Sequence, residues 1–121
     1  MRKIRIIFEG STKEGYLKLL KAVEQEKKKG ITSSENIALL NSIKHKIEVL
    51  KNNPQAGRPV QKKLIPKKYA EQGITNLWII NLAKYWRMLY NIQTNEIELL
   101  CFILEFGDHN QYNKTFGFKK K

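Results

Sequence analysis

Near the end of this chain an apolar run, "IELLCFILEF", leads into Gly107-Asp108-His109-Asn110-Gln111-Tyr112. His109 and Tyr112 are side chains that can carry protons, and an ordinary imidazole titrates near pH 6.5, where it can give or take one. Upstream, Arg87 stands in "YWRMLYNI" among large apolar side chains. In an extended strand Trp86, Met88 and Tyr90 share one face, and Arg87, Leu89 and Asn91 share the other. A buried charge left unpaired costs on the order of 3–5 kcal/mol, so Arg87 requires a partner. That partner is either internal, an ion pair with Glu98 or Glu105 across a sheet, or external, a phosphate held by the planar guanidinium. His109 is either a turn or capping residue or an acid–base group. Tyr112 either packs on Phe116 or Phe118 or joins the same chemistry.

The second concentration of chemistry is cationic. Arg58, Lys62, Lys63, Lys67 and Lys68 fall within "GRPVQKKLIPKKY" with no acidic residue between them. The whole chain has 23 Lys+Arg against 11 Asp+Glu, a formal charge of +12. A charge run is often only a solvated face, but this density favours a polyanionic partner such as nucleic acid, an anionic membrane or an acidic protein. Other chemistries find little support. Cys101 is the one cysteine, so no internal disulfide is available. It lies in the most apolar segment and reads as a small buried hydrophobe, which fits a reducing, cytoplasmic setting. No Cys/His cluster suggests zinc and no cofactor is implied. His45, in "IKHKI", reads as a surface residue. No apolar run approaches the roughly 20 residues needed to span a bilayer. The basic, then apolar start "MRKIRIIFEG" reads as a first strand rather than a leader.

These residues need elements to position them. A length of 121 residues predicts one domain, 1–121, with 119–121 a frayed tail. Lys3 to Phe8 reads as a strand. Ser11 with Glu14 predicts a capping box, and Tyr16, Leu19, Leu20 and Val23 follow at helical spacing, ending at Gly30. Thr32 with Glu35 predicts a second box. A stripe of Ile37, Leu40, Ile43, Ile47 and Leu50 follows and stops at Asn53-Pro54. The two helices should form an antiparallel hairpin. The Arg58–Lys68 region reads as a short strand with Val60, Leu64 and Ile65. "TNLWIINL", "YWRMLYNI" and "IELLCFILEF" read as three more, with a turn near "QTNE". The predicted class is α+β, a small twisted antiparallel sheet with the helical hairpin on one face.

In this order, the basic first strand, the α-hairpin, "NP" then "GRP", the Lys-rich stretch, "NLW", "WRMLY" and a final apolar strand ending in "DHNQY" resemble the RelE/ParE superfamily of toxins from type II toxin–antitoxin systems. The resemblance spans about residues 2–118. It implies a metal-independent mRNA endonuclease that works on the ribosome. The RNA 2′-hydroxyl attacks the adjacent phosphate, leaving a 2′,3′-cyclic phosphate and a 5′-hydroxyl. It further implies Arg87 as the phosphate-stabilising residue, with His109 and Tyr112 as acid–base or stacking groups. Asp108 would orient His109, and Arg58, Lys62, Lys63, Lys67 and Lys68 would hold the RNA backbone. The implied partners are a cognate antitoxin and mRNA on the ribosome. Members of the superfamily vary in their catalytic sets. The same resemblance therefore also admits a ParE-like inhibitor of DNA gyrase without catalysis, or a non-toxic homologue that only binds RNA or an antitoxin.

Overall fold

A computed structural model describes residues 3–95 and 97–117. The tail at 119–121 lies outside the described residues. The chain opens with β1 (Lys3–Phe8), then α1 (Gly10–Lys28) and α2 (Glu35–Asn52). The two-residue β2 (Arg58–Pro59), a 3-10 turn at Lys62–Leu64 and the short α3 (Lys67–Ala70) follow. Next are β3 (Trp78–Asn81), a 3-10 turn at Ala83–Tyr85, β4 (Arg87–Thr94), β5 (Glu98–Gly107) and α4 (His109–Phe116). Among the described residues no helix is long and apolar enough to cross a membrane.

The five strands form one sheet in the order β1-β5-β4-β3-β2. Pairing is antiparallel from β5 to β2, as expected, but β1 runs parallel to β5, so the sheet is mixed. The cause is topological. The α-hairpin carries the chain from β1 to the far edge, and short connections bring it back to arrive beside β1 in the same direction. The turn between β4 and β5 is closed by Asn95, whose Oδ1 accepts from the Ile97 and Glu98 amides at 2.8 and 2.7 Å.

The apolar stripes predicted for the helices do face the sheet. Leu19 and Val23 of α1, and Leu39, Leu40, Ile43 and Leu50 of α2, bury against Ile80, Met88, Tyr90, Cys101 and Ile103. Each such side chain contributes about 1.5–3 kcal/mol by leaving water. The capping boxes differ from expectation. Neither Ser11 nor Thr32 caps a helix: α1 starts after Glu9 with no side-chain cap, and Ser34 caps α2 by accepting from Ile37 N at 3.1 Å. Thr12 is used elsewhere. The pairing of β4 with β5 steps from Leu89–Glu105 to Tyr90–Ile103, which leaves Leu104 as an extra residue. The Thr12 hydroxyl donates to the Leu104 carbonyl at 2.6 Å, satisfying a group that the bulge displaces.

The opposite face of the sheet is not open. Leu77, Ile79, Leu89 and Tyr69 form a second, smaller core there, joined by Val60, Ile65, Ile74, Leu104, Tyr112 and Phe116. The segment expected to be a lysine-rich strand supplies much of this cover as a turn and a short helix. Only Arg58 and Pro59 pair as a strand, because Pro59 and Pro66 break the run and Ile65 and Tyr69 are drawn down onto the sheet.

Candidate functional site

The alternation expected for β4 holds. Met88 and Tyr90 enter the helix-side core, while Leu89 enters the other, on the face that Arg87 shares. Arg87 is half-buried, and neither internal ion pair forms. Glu98 pairs with Arg5 at 3.1 Å and Glu105 with Lys68 at 3.2 Å. Glu105 is further occupied by Thr115 Oγ1 at 2.7 Å, by Gln111 Nε2 at 3.5 Å and by the Tyr69 hydroxyl. Its oxygens are therefore taken, although it lines the same crevice as Arg87. The guanidinium lies over the Tyr112 ring, 4.6 Å from its centroid, and Arg87 Nε and Nη1 are buried without a hydrogen-bond partner. These two buried donors without a partner are an exception to the rule that buried polar groups are hydrogen-bonded.

Tyr112 is placed by α4, an element the sequence reading did not predict. Asp108 is its N-cap, accepting from Gln111 N at 2.9 Å, and Gly117 ends it in the left-handed conformation at φ 73°. Asp108 therefore does not orient His109 as expected, because its carboxylate serves the helix backbone. Tyr112 packs on Phe116, ring centroids 4.8 Å apart, and also supports Arg87. Gly107 allows α4 to fold back this closely, since a Cβ there would lie 2.5 Å from Gln111 Cγ. His109, the first residue of α4, is exposed, and its Nε2 lies 3.2 Å from Asn113 Nδ2. It sits two positions beyond Gly107, the register partner of Arg87.

The predicted cations separate into two groups. Arg58 lies on β2, one strand beyond β3, and its Nη2 reaches Asn81 Oδ1 at 3.5 Å. Asn81 is the register partner of Arg87, while Arg58 pairs with Ile79 two residues away and reaches Asn81 only through its side chain. A groove of about 310 Å3 joins Arg58 to Tyr112 and Phe116. Arg58 is held through the loop before it. Tyr90 donates from its hydroxyl to Pro54 O at 2.7 Å and accepts from Gly57 N at 3.0 Å. A Cβ at Gly57 would meet Ile79 O at 2.6 Å, so only glycine fits this approach. Lys62 and Lys63 are exposed on the turn that follows. Lys67 and Lys68 on α3 are both ion-paired. Lys67 pairs with Glu71 at 3.7 Å, and Lys68 with Glu105 while also lying over the Tyr69 ring. Lys68 thus fastens α3 to the sheet.

Other groups behave as packing. His45 is exposed on α2. Cys101 is fully buried, and burial pushes its thiol up to about 11, far from the range of a nucleophile. Burial pushes the Tyr69 hydroxyl above the usual phenol range, and the neighbouring Glu105 adds to the effect. Among the described residues no group of three His, Cys, Asp or Glu side chains is placed to hold a metal. Sequence reasoning missed Asn81, Lys84 and Tyr85. They line a cleft of about 500 Å3 with Leu82, Trp86 and Arg87. In the sequence they stand only as Asn81 and a Lys-Tyr pair just before Trp86-Arg87.

No protein-family profile and no curated protein matches this chain. Among solved structures, a YoeB/ParE toxin from Agrobacterium tumefaciens superposes with a TM-score of 0.53 at 14% sequence identity. The match covers 90% of this chain and 99% of that one. At this identity the likeness is one of fold. The chain has the RelE/ParE-type fold, with its sheet and helical hairpin in the expected order and a C-terminal helix, α4, that the sequence reading did not predict.

Proposed function

We propose that this chain, with its RelE/ParE-type fold, is the toxin of a type II toxin–antitoxin pair and cuts mRNA on the ribosome without a metal. The observation that carries the proposal is Arg87: a guanidinium fixed on Tyr112 with two buried donor atoms unmet. In this reading the RNA 2′-oxygen bonds to the adjacent phosphorus, the bond to the 5′-oxygen breaks, and a 2′,3′-cyclic phosphate and a 5′-hydroxyl result. The proton leaves the 2′-hydroxyl for a base, and another is delivered to the leaving 5′-oxygen. Arg87 donates to the non-bridging oxygens as charge accumulates there, the term that a preorganised donor contributes most to. His109 and Tyr112, on successive turns of α4, are the proposed acid–base pair, and His109 must leave Asn113 to act. Arg58, Lys62 and Lys63 hold the flanking backbone. Lys67 and Lys68, committed to Glu71 and Glu105, contribute less. The partner is an antitoxin with an acidic segment suited to a +12 surface.

A second reading is a ParE-like gyrase inhibitor, and one observation favours it. His109 is exposed and held by an amide rather than a carboxylate, so no acid–base pair stands ready beside Arg87. Expression in cells separates the two. The nuclease reading expects growth arrest with new 5′ ends inside translated frames, lost in Arg87→Ala and His109→Ala. Arrest with intact mRNA and damaged DNA points to gyrase, and the absence of arrest removes the toxin function.

A further inference from the structure

The cleft beside Arg87 is bounded by a hairpin tip of unusual construction. Lys84 and Tyr85 both have positive φ, 57° and 66°. This left-handed region is unfavourable for any residue with a Cβ, and two in succession without glycine or asparagine are rare. The tip is nevertheless well held. Leu82 N donates to Trp86 O at 2.8 Å, Trp86 N to Ala83 O at 3.1 Å, and Ala83 N to Ser42 Oγ of α2 at 2.9 Å. Trp86 anchors it from below, its ring 6.2 Å from that of Phe106. The result of this strained, braced geometry is that Tyr85 stands out of the molecule with 83% of its surface exposed. Strain persists where the surrounding structure over-determines it, and it collects at sites that bind. The cleft that Tyr85 lines, about 500 Å3, falls in the range of small-ligand sites and carries Lys84, Asn81 and Arg87 on its walls.

We propose that this tip is a nucleobase platform: one base of a single-stranded RNA stacks on Tyr85, its edge meets the Asn81 amide, and its phosphate lies between Lys84 and Arg87. An aromatic side chain and two cations lining one cleft suit a base and its own phosphate. A protein partner would require a broader apolar surface, and the cleft walls supply cations and amides instead. The inference rests on the reading of this chain as acting on RNA and adds to it a base subsite next to the scissile phosphate. It assigns Tyr85 to binding and positioning, not to catalysis.

The test uses the full chain and a short RNA with 2′-O-methyl groups, so that it binds and is not cut, carrying 2-aminopurine at each position in turn. The expected result is quenching at one position. Tyr85→Ala should relieve that quenching and weaken binding about tenfold, the scale of one lost stack, while Tyr85→Trp and Tyr85→Phe retain both. Tyr85→Gly should lower RNA affinity while raising the melting temperature, because glycine adopts the left-handed region freely; a purely structural tyrosine would not separate the two. If Tyr85→Ala binds and quenches as the wild type does while Arg87→Ala binds weakly, the platform is overturned and the RNA reading stands. If the wild-type chain binds the RNA neither free nor on a programmed ribosome, both are overturned.

Discussion

At Arg87 the proposed site is set against a cost to the fold. A buried donor left unsatisfied costs about 1–3 kcal/mol, and the stacking on Tyr112 returns about 1 kcal/mol. Arg87→Met, which keeps the packing and removes the donors, should therefore raise the melting temperature by about 4 °C, corresponding to about 1 kcal/mol, while abolishing cleavage. A fall in melting temperature on differential scanning calorimetry would mean that Arg87 has an internal partner after all. Buried acids make a second prediction at this scale. Burial pushes Tyr90 up to about 12 from 10.0, and Cys101 up to about 11 from 9.0. Each holds its proton more tightly folded than unfolded, so its stabilisation is complete below the ordinary value and is lost as pH rises through the folded one. Thermal melts should be flat on this account below pH 9 and decline from 9 to 12, with Cys101→Ala flattening the lower part of the decline. An unchanged melting temperature across that range would contradict the burial of both groups.

At the scale of elements, α4 joins fold to site. It is held by the Asp108 cap, by Gln111 and Thr115 on Glu105, and by Tyr112 and Phe116 in the second core. Asp108→Ala should cost about 1 kcal/mol and release Tyr112 from Arg87, whereas Asp108→Asn should retain the cap. Equal losses of stability and cleavage in both variants would instead point to the charge. The sequence made part of this arrangement legible. Helical spacing from Tyr16 to Val23 and from Ile37 to Leu50, and the β4 alternation around Arg87, are local patterns with one physical solution. Less legible were features settled by distant contacts. Thr12 serves the Leu104 bulge rather than a capping box. The lysine-rich run bends because Ile65 and Tyr69 find the sheet. Asp108 and Gly117 do bracket α4 with ordinary cap signals, but the preceding apolar strand masked them. Of the site, Arg87 and Tyr112 could be named from sequence; their stacking, and the place of Lys84 and Tyr85 beside them, depends on how two hairpins meet.

For the whole molecule, with a formal charge of +12, Arg58, Lys62, Lys63, Lys84 and Arg87 form no ion pair among the described residues, while Lys67 and Lys68 are paired with acids. If about four phosphates are neutralised, the affinity for single-stranded RNA should fall with salt at a log–log slope of about −3. A slope near zero in a fluorescence titration would show that the charge serves another partner. Under the proposed function, the same charge would suit an acidic antitoxin segment. The central claim, that Arg87 stabilises a phosphorane in RNA, is tested most directly by incubating purified protein with ribosomes translating a defined mRNA, with Arg87→Lys beside the wild type, and analysing the ends produced. The account predicts wild-type products with 2′,3′-cyclic phosphate and 5′-hydroxyl ends, and a rate lower by about 100-fold or more with lysine, which lacks the planar fork. Cleavage by the lysine variant at the wild-type rate, or no cleavage by either protein, would contradict it.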